Sequence, residues 1–456
     1  RATTTFLPGI AHGHHHTGTD RLRKALPFPL TADQTRAVDE ITADLQAPRP
    51  MLRLLQGDVG SGKTLVALLA LLKVIENGHQ GAFMAPTEIL ARQLYANAKK
   101  YLEPLGITVA LLVGSMSAAQ KTKLKQHLRD GFVNLLIGTH AVVQDDVVFD
   151  KLGLAVIDEQ HRFGVRQRMA LSANSKLPPD VLVMTATPIP RTLALTVYGD
   201  MDVSTLREKP PGRTPIKTVA MQDGRFSEVV TSLKRVLEAG NQVYWVCPLV
   251  EENEDSDLTA ATQRAEQLKT VYGDAVGLLH GQMKAADKDA VMAAFAAGDV
   301  KILVSTTVIE VGVDVPNASL MVIDHAERFG LSQLHQLRGR VGRGAAASTC
   351  VLLYALPLTA YAQQRLDALR QSDDGFYLAE KDLELRGPGE VLGTRQAGQV
   401  ATKLADLHHH RDLLPVARDT AQALLAANLT SAQRGALSLL LQMFDKQAAA
   451  EFLRGG

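Results

Sequence analysis

Cysteine is scarce in this chain, which has only Cys247 and Cys350 among its 456 residues. The two lie in separate apolar stretches, and neither belongs to a C-x-x-C or Cys/His ligand pattern. This scarcity argues against a disulfide framework and against a zinc site. It also makes a reducing cytoplasm the expected compartment.

Long hydrophobic runs and an excess of one charge are also missing. The longest apolar stretch, residues 65–72, ends at Lys73 and is far too short to cross a bilayer, and no targeting segment is visible. The formal net charge is only +1, so any contact with nucleic acid must come from local patches. With 46% hydrophobic residues, the chain can bury two or three sizeable cores.

The chain does contain a glycine-rich motif, GDVGSGKT, between two apolar runs. Glycines at its turns let successive backbone N–H groups point at the β- and γ-phosphates of a nucleotide. The lysine adds positive charge, the threonine offers a hydroxyl to Mg²⁺, and the following helix directs its positive end at the anion. A chance turn is the alternative, but the spacing and the strand-loop-helix context favour a nucleotide site. We assign to it Gly57, Asp58, Val59, Gly60, Ser61, Gly62, Lys63 and Thr64.

An acidic pair follows the apolar stretch 154–157. Carboxylates at the exit of a buried strand suit phosphoryl transfer, in which one holds Mg²⁺ and the other orients or deprotonates the attacking water. We therefore assign Asp158 to the metal, together with Thr64, and Glu159 to the water. A helix N-cap beside a solvated carboxylate is the structural alternative.

Two arginines, Arg340 and Arg343, end a basic stretch at residues 333–343. The planar guanidinium suits a transferring γ-phosphoryl group, because it spreads positive charge over several oxygens. A solvated basic face is the alternative. The position of the stretch, behind a second set of α/β strands, favours a contact across a cleft. After another strand, the hydroxyls of Thr185 and Thr187 could sense the nucleotide state and pass it on.

Gln34 is a candidate contact for adenine. The pattern Leu30-Thr31-x-x-Gln34 resembles a glutamine element found upstream of phosphate loops, whose amide can pair with both edge groups of the base. Gln34 could equally be an ordinary N3 residue of a helix that is capped by Thr31.

Apolar strands alternate with helical stretches in two series, which predicts an α/β protein with two doubly wound parallel-sheet lobes. A turn-rich break at residues 209–215 separates the series, and polar helices follow Tyr354. The first series has strands near 82–84, 108–112, 135–137, 154–157 and 181–184, and the second near 242–248, 276–280, 302–305 and 320–323. The predicted units are an N-terminal arm (1–25), a first lobe (26–208), a second lobe (209–356) and a helical C-terminal region (357–456).

Histidines cluster at residues 12–16 and 408–410. Neither cluster has the spaced ligand set of a defined metal site. We expect the first cluster to belong to a mobile terminal segment.

In their order along the chain, the motifs resemble those of superfamily 2 helicases. The match covers about residues 26–351 and includes GDVGSGKT, APTE, GTH, DEQH, TATP, TTVIEVGVDVP and QLRGRVGR. The resemblance implies two RecA-like lobes with ATP bound in the cleft between them. It also implies a catalytic role for His161 and a nucleotide contact for Asp314. The residues that it implies for coupling to DNA are Thr87, Thr139, His140, Thr185, Thr187, Thr306 and Gln336.

Three longer segments are similar to the RecG family of bacterial branch-migration helicases: DEQHRFGVRQR, MTATPIPRTLA and DLELRGPGEVLGTRQAG. The last resembles that family's translocation motif, which transcription-repair coupling factors share. Those relatives typically carry Glu where this chain has Gln160 and Gln where it has His161, so DEQH favours RecG. A helical cap over the second lobe is the structural alternative for the third segment. The resemblance implies coupling roles there for Asp382, Glu384, Arg386, Gly393, Arg395 and Gln396.

The function implied by this resemblance is an ATP- and Mg²⁺-dependent translocase on double-stranded DNA, which reverses replication forks and migrates Holliday junctions. The expected protein is a monomer in the bacterial cytoplasm, associated with the nucleoid, with a single-stranded-DNA-binding protein as a further partner. The alternatives are a translocase of transcription-repair coupling and a nucleotide-gated DNA-binding scaffold without turnover. The intact set Lys63, Asp158, Glu159, Arg340 and Arg343 argues against the scaffold.

RecG proteins carry an N-terminal wedge domain of the oligonucleotide-binding type before the motor. Here about 25 residues precede Leu26, and the first residue is Arg1 rather than Met. We therefore expect the chain to be a fragment of a longer protein.

Overall fold

The computed structural model describes residues 8–13, 15, 17–144, 146–158, 177–188, 201–210, 215–248, 254–306, 315–344, 346–386, 410, 413–427 and 430–444. Thirteen strands and thirteen α-helices lie in these residues, and the strands form two separate parallel sheets. The predicted fold class, two α/β lobes followed by helices, is therefore confirmed. Among the helices of the described residues, none has the length and apolar character needed to cross a membrane.

The first sheet has seven strands, which lie between residues 52 and 206. They are β1 (Leu52–Gly57), β2 (Gln80–Met84), β3 (Val109–Leu112), β4 (Leu135–Gly138), β5 (Leu152–Asp158), β6 (Asp180–Thr185) and β7 (Asp202–Leu206). All pairs are parallel, in the order β3-β4-β2-β5-β6-β1-β7. Among the described residues of this lobe, the helices are α2 (Ala32–Gln46), α3 (Lys63–Glu76), α4 (Glu88–Leu102) and α5 (Ala118–Arg129), and α1 (Thr17–Ala25) of the N-terminal arm packs against α3.

Helix α3 carries the phosphate loop at its N-terminal end and is buried along most of its length. Its sequence is apolar on every side, and residues 66–75 are all buried, because sheet, α1 and α2 surround it. A second core covers the opposite face of the sheet. The loop is thus attached to a largely buried helix, which holds it in place.

The N-terminal arm packs against the base of this lobe. His12 is buried, with Nε2 3.2 Å from Asp180 Oδ2, and Asp180 Oδ1 accepts a hydrogen bond from the backbone N–H of Met51 at 2.6 Å. The ammonium of Lys73 donates to the carbonyl oxygens of Gly13 and His15 at 2.6 and 3.0 Å. The expectation of a mobile segment is therefore wrong for His12, which the buried carboxylate of Asp180 holds in place. His14 and His16 lie outside the described residues.

The second sheet has six strands, which lie between residues 217 and 354. They are β8 (Lys217–Gln222), β9 (Gln242–Val246), β10 (Val276–Leu279), β11 (Ile302–Ser305), β12 (Ala318–Ile323) and β13 (Thr349–Tyr354). All pairs are again parallel, in the order β10-β11-β9-β12-β13-β8, with a core on each face. The helices of this lobe are α6 (Phe226–Glu238), α7 (Glu254–Tyr272), α8 (Ala285–Ala297) and α9 (Leu331–Arg338).

The helical stretch predicted at residues 366–385 is a hairpin of two helices, α10 (Ala360–Gln371) and α11 (Gly375–Arg386). A turn at 372–374 separates them. The backbone N–H of Asp374 donates to Ser372 Oγ at 3.1 Å, and Asp374 Oδ1 accepts a hydrogen bond from the backbone N–H of Phe376, in α11, at 2.9 Å. Both helices contact α9 of the second lobe. Two further helices follow, α12 (Leu413–Ala426) and α13 (Ser431–Met443).

Candidate functional site

Glycines make the backbone of the loop between β1 and α3 accessible to a bound anion. Gly60 and Gly62 have φ of 75° and 86°, in the left-handed region that other residues rarely adopt. A Cβ on Gly62 would also collide with the side-chain amide of Gln34. Gly62 is the N-cap of α3 and has no side chain to cap it, so the first-turn N–H groups remain as donors for an anion.

A cavity of about 320 Å³ lies at this loop and receives side chains from both lobes. The Lys63 ammonium lies in its wall and donates to the carbonyl oxygens of Gly57 and Asp58, at 2.7 and 2.9 Å. The structure thus brings eight of the predicted nucleotide and catalytic residues together in one place. Those that line the cavity are Val59, Gly60, Gly62, Lys63, Thr64, Asp158, Arg340 and Arg343.

Asp158 and Thr64 supply the oxygens that suit a magnesium ion. Asp158 is the last residue of β5 and Thr64 lies in the first turn of α3, so both face the same cavity. Mg²⁺ prefers carboxylate, hydroxyl, water and phosphate oxygens, and these donors fit it. Their metal role stays a prediction. Glu159, His161 and Asp314 lie outside the described residues.

Arg340 and Arg343 follow helix α9 of the second lobe and line the same cavity as Lys63 of the first lobe. Both are only partly buried, and Nε of Arg343 donates to the carbonyl oxygen of Gly339 at 3.4 Å. Gly342 between them has a φ of 81°, in the left-handed region that favours glycine. The two guanidinium groups are therefore within the same cavity as the phosphate loop, as the cleft hypothesis requires.

Gln34 takes part in the helix cap that one of its two interpretations predicted. It is the N3 residue of α2 and forms a reciprocal capping box with Thr31. The side-chain amide is buried and also donates to the carbonyl oxygen of Ser61 at 2.9 Å. The amide thus supports the phosphate loop directly, and a contact with adenine stays a prediction.

The carboxylate of Asp58 faces the second lobe. Its Oδ1 lies 2.6 Å from Nε2 of His335 and 2.7 Å from the backbone N of Val59, and its Oδ2 lies 3.9 Å from the Lys209 ammonium. Burial alone would raise the pKa of this carboxyl, but the hydrogen bond from His335 and the charge of Lys209 hold its pKa below the ordinary value. The sequence interpretation assigned Asp58 to the nucleotide and did not find this bridge between lobes.

Arg338 continues the bridge into the helical hairpin. It is 2% exposed and donates to the Nδ1 of His335 at 2.8 Å and to the carbonyl oxygens of Leu369 and Ser372 at 2.6 and 2.9 Å. Its guanidinium also lies 3.1 Å from the Asp373 carboxylate. His335 and Arg338 are three residues apart on one helix, a spacing that places them on a common face. The sequence analysis did not single out either residue, although this spacing is a signal that could have paired them.

Most of the residues that the helicase motifs predict to couple the motor to DNA lie at or just after the carboxyl ends of strands, where parallel sheets bind ligands, whereas Gln336 lies within helix α9. Thr87 is the N-cap of α4, and Thr139 is buried after β4. The hydroxyls of Thr185 and Thr187 lie 3.0 Å apart, and buried Thr306 follows β11. His140 is exposed and Gln336 is partly buried. Their roles stay predictions.

The translocation motif lies mostly beyond the described residues, which end here at Arg386 in α11. Asp382 is buried and accepts from the hydroxyl of Ser332 at 3.3 Å, which ties α11 to α9. Glu384 forms an exposed pair with Lys381 at 3.0 Å. Gly393, Arg395 and Gln396 lie outside the described residues.

Comparison with protein families matches three models to successive parts of the chain. They are "DEAD/DEAH box helicase" at residues 31–196, "Helicase conserved C-terminal domain" at 228–345 and "ATP-dependent DNA helicase RecG, domain 3, C-terminal" at 372–447. Together with two parallel-sheet lobes around one phosphate-loop cavity, these matches define the motor of a two-lobe helicase.

Individual relatives show which two-lobe helicases this chain is similar to. The "ATP-dependent DNA helicase RecG" of Acidithiobacillus ferridurans is 55% identical over 401 residues, which are 88% of this chain and 58% of the relative. The protein of the same name from Bacillus subtilis is 48% identical over 410 residues, 90% of this chain and 60% of that protein. A solved structure described as "Structure of RecG bound to three-way DNA junction" has a TM-score of 0.75 at 45% identity, over 89% of this chain and 53% of that one.

The chain therefore belongs to the RecG helicase family. It spans about 58% of the length of the first of these relatives.

Proposed function

We propose that this chain is the ATP-hydrolysing motor of a RecG-type helicase, which moves along double-stranded DNA and acts at branch points. The observation that carries the proposal is the cavity in which Lys63, Thr64 and Asp158 of the first lobe face Arg340 and Arg343 of the second. A site divided between two lobes can be completed by closure, and this allows hydrolysis to be linked to movement.

Each side chain has a defined task in phosphoryl transfer. The N–H groups at the start of α3 and the Lys63 ammonium would hold the phosphates. Asp158 and Thr64 would hold Mg²⁺, which would supply positive charge to the site. Glu159 orients and deprotonates the attacking water, assisted by His161. Arg340 and Arg343 stabilise the charge that develops on the transferring group. Gln34 and Asp314 contact the rest of the nucleotide.

The DNA substrate is proposed from the relatives. The RecG structure named above is described as bound to a three-way DNA junction, and the family model at residues 372–447 is described as a domain of RecG. We propose replication forks and Holliday junctions as substrates of the whole protein. The match at 372–447 favours this function over transcription-repair coupling.

Further proposals rest on the resemblance to RecG helicases. The proposed structural units of the chain are the arm at 1–25, the lobes at 26–208 and 209–356, and the helical region at 357–456. The protein works as a monomer associated with the bacterial nucleoid, and a single-stranded-DNA-binding protein is its further partner.

The test is ATP turnover of the chain alone and with forked, linear duplex and single-stranded DNA. We expect stimulation by forked and duplex DNA to exceed that by single strands, and Lys63→Ala serves as the control for contaminating hydrolysis. If the chain binds nucleotide but hydrolyses none, either alone or with any of the three DNAs, the nucleotide-gated scaffold is favoured instead.

A further inference from the structure

Helix α5 of the first lobe carries the largest positive charge of any helix in the described residues. Its sequence, AAQKTKLKQHLR, contains three lysines and one arginine but neither Asp nor Glu, so its formal charge is +4 with histidine neutral. Helix α2, by contrast, has one arginine and four carboxylates, and α6 has two cations and two carboxylates. Because the whole chain has a net charge of only +1, α5 is the kind of local patch that a contact with nucleic acid requires.

The cations of α5 lie outside the side of the helix that packs on the sheet. Leu128 is buried there, and Leu124 packs against the same core. The basic face of α5 consists of four residues that are exposed or partly exposed: Lys121, Lys123, Lys125 and Arg129. Three of them recur every four residues, and 121 and 129 are separated by about 12 Å along the helix axis. Duplex DNA carries about one negative charge per 1.7 Å of its axis, so a face of this length can meet several phosphates.

The start of α5 is attached to helix α4, whose N-cap is Thr87. Glu88, in the first turn of α4, accepts hydrogen bonds from the backbone N–H and the hydroxyl of Ser115, at 3.2 and 2.7 Å. Arg92, one turn further on, donates to the same hydroxyl at 2.9 Å. Ser115 lies in the turn between β3 and α5. Since Thr87 is a predicted DNA contact, the basic face begins beside the predicted DNA track.

The middle of α5 is attached to the segment that follows β4. Lys125 forms an ion pair with Asp146 of this segment, and the predicted DNA contacts Thr139 and His140 lie near the start of the same segment. The carboxylate of Asp146 is 65% exposed, and exposed ion pairs contribute little stability, so a phosphate can compete for the Lys125 ammonium. Helix α5 is therefore fixed between the two elements that carry predicted DNA contacts.

We propose that the basic face of α5 binds the phosphate backbone of duplex DNA and extends the predicted DNA track along the first lobe. The proposal rests on the proposed function, because it takes duplex DNA to be the substrate. Contacts to phosphates position a duplex without reading its sequence, and each one releases condensed counterions. The face takes no part in hydrolysis, since no residue of α5, all of which the structure describes, lines the nucleotide cavity.

The test removes two cations from this face and compares duplex binding with a matched control. Lys123 and Arg129 are exposed, so Lys123→Gln with Arg129→Gln lowers the charge by two without opening the core. Lys234→Gln with Arg235→Gln, at exposed positions of α6 in the second lobe, makes the same change in charge elsewhere. The Kd for a linear duplex is measured by fluorescence anisotropy over a range of salt concentrations, beside the Kd for nucleotide.

The salt dependence of duplex binding should report the loss of phosphate contacts. The logarithm of the binding constant falls linearly with the logarithm of the salt concentration, with a slope of about −0.9 for each neutralised phosphate. The α5 double variant should reduce the size of this slope by roughly two and weaken binding at low salt about tenfold or more. The α6 control should keep the original slope, and both variants should bind nucleotide as the original chain does.

A variant that adds charge tests the same face in the opposite direction. Thr122 is an exposed residue of α5, and Thr122→Lys places a further cation between those already present. Duplex binding should tighten, and the slope should increase in size by about one. Lysine is a better helix former than threonine, so this variant also serves if the double variant folds poorly.

Three results would overturn the proposed surface. One is an α5 double variant, or a Thr122→Lys variant, that keeps the slope and Kd of the original, because α5 would then be a solvated face or serve another partner. The second is an equal loss in the α6 control, which would reduce the effect to overall charge. The third is a parallel loss of nucleotide binding in the double variant, which would make α5 a support of the nucleotide site.

These failures differ from a failure of the proposed function. In each of them the original chain still binds duplex DNA with a normal salt dependence. If the original chain neither binds the duplex nor hydrolyses ATP faster in its presence, the proposed function itself is refuted.

Discussion

Gly339 of the second lobe lies directly against Val59 of the phosphate loop. A Cβ on Gly339 would be 2.9 Å from the Cβ of Val59 and 3.2 Å from each of its methyl carbons. The φ of Gly339 is −67°, which any residue can adopt, so space alone excludes a side chain here. Because Arg340 follows at once, this contact sets how closely the two arginines approach the nucleotide cavity.

Gly339→Ala should separate the lobes at this point. The added methyl displaces α9 from Val59, so Arg340 and Arg343 retreat from the γ-phosphate, and we expect turnover to fall about tenfold or more with little change in nucleotide Kd. Gly435→Ala in α13 is the matched control, because a Cβ there meets nothing within 4 Å. Turnover of the Gly339 variant equal to that of the control would contradict the close-contact argument.

Glu159→Gln tests the assignment of the water-activating carboxylate. Nucleotide binding should persist, since Lys63 and Asp158 remain, but hydrolysis should slow by about 10² or more because the general base is lost. Lys63→Ala should instead weaken binding itself. The measurements are single-turnover hydrolysis and nucleotide Kd, and a near-original hydrolysis rate for Glu159→Gln would show that its assigned role is wrong.

Arg343→Ala tests completion of the site by the second lobe. If the arginine acts on the transferring phosphoryl group, kcat should fall by roughly 10³, as for other arginine fingers, with a smaller loss of affinity. Equal losses of kcat and affinity would indicate a static binding residue. A structure with a bound ATP analogue in which both Arg340 and Arg343 point away from the phosphates would also exclude the role.

Substitutions in the translocation motif should abolish DNA movement without abolishing ATP hydrolysis. We expect Arg386→Ala or Gln396→Ala to leave a substantial DNA-stimulated ATPase while abolishing fork unwinding in the full-length protein, because phosphate chemistry occurs in the cleft between lobes. Both activities are measured in one preparation. Parallel loss of both would reduce the motif to a structural cap, and unchanged unwinding would remove it from the mechanism.

Acid should weaken the bridge at Asp58. The pKa of this carboxyl is held below its ordinary value of 3.8, chiefly by His335 acting against burial, so its ionised form stabilises the folded state. That stabilisation is fully present above the ordinary pKa and is lost as pH falls through the lowered one. The difference in Tm between the original chain and Asp58→Asn should therefore shrink as the pH falls below the ordinary pKa and through the lowered one. A difference that grows on acidification would have the wrong sign.

Local patterns were sufficient for the phosphate loop and for most strands. The predicted strands near 135–137 and 302–305 are observed at Leu135–Gly138 and Ile302–Ser305, because each is a buried run of apolar residues. Strands β7 and β8 were not predicted. Both lie at sheet edges and are only partly buried, so their apolar signal is weak.

The sequence by itself determined the nucleotide motif, the two series of strands and the resemblance to RecG, since each depends on residues that are close together along the chain. Only the tertiary structure decided that Asp58 faces His335, which lies 277 residues away, and that Arg338 continues this contact to the hairpin. Helical spacing placed His335 and Arg338 on one face but could not say what that face meets. The partner of a side chain across a cleft depends on how two separately folded sheets pack together, and no local pattern encodes that.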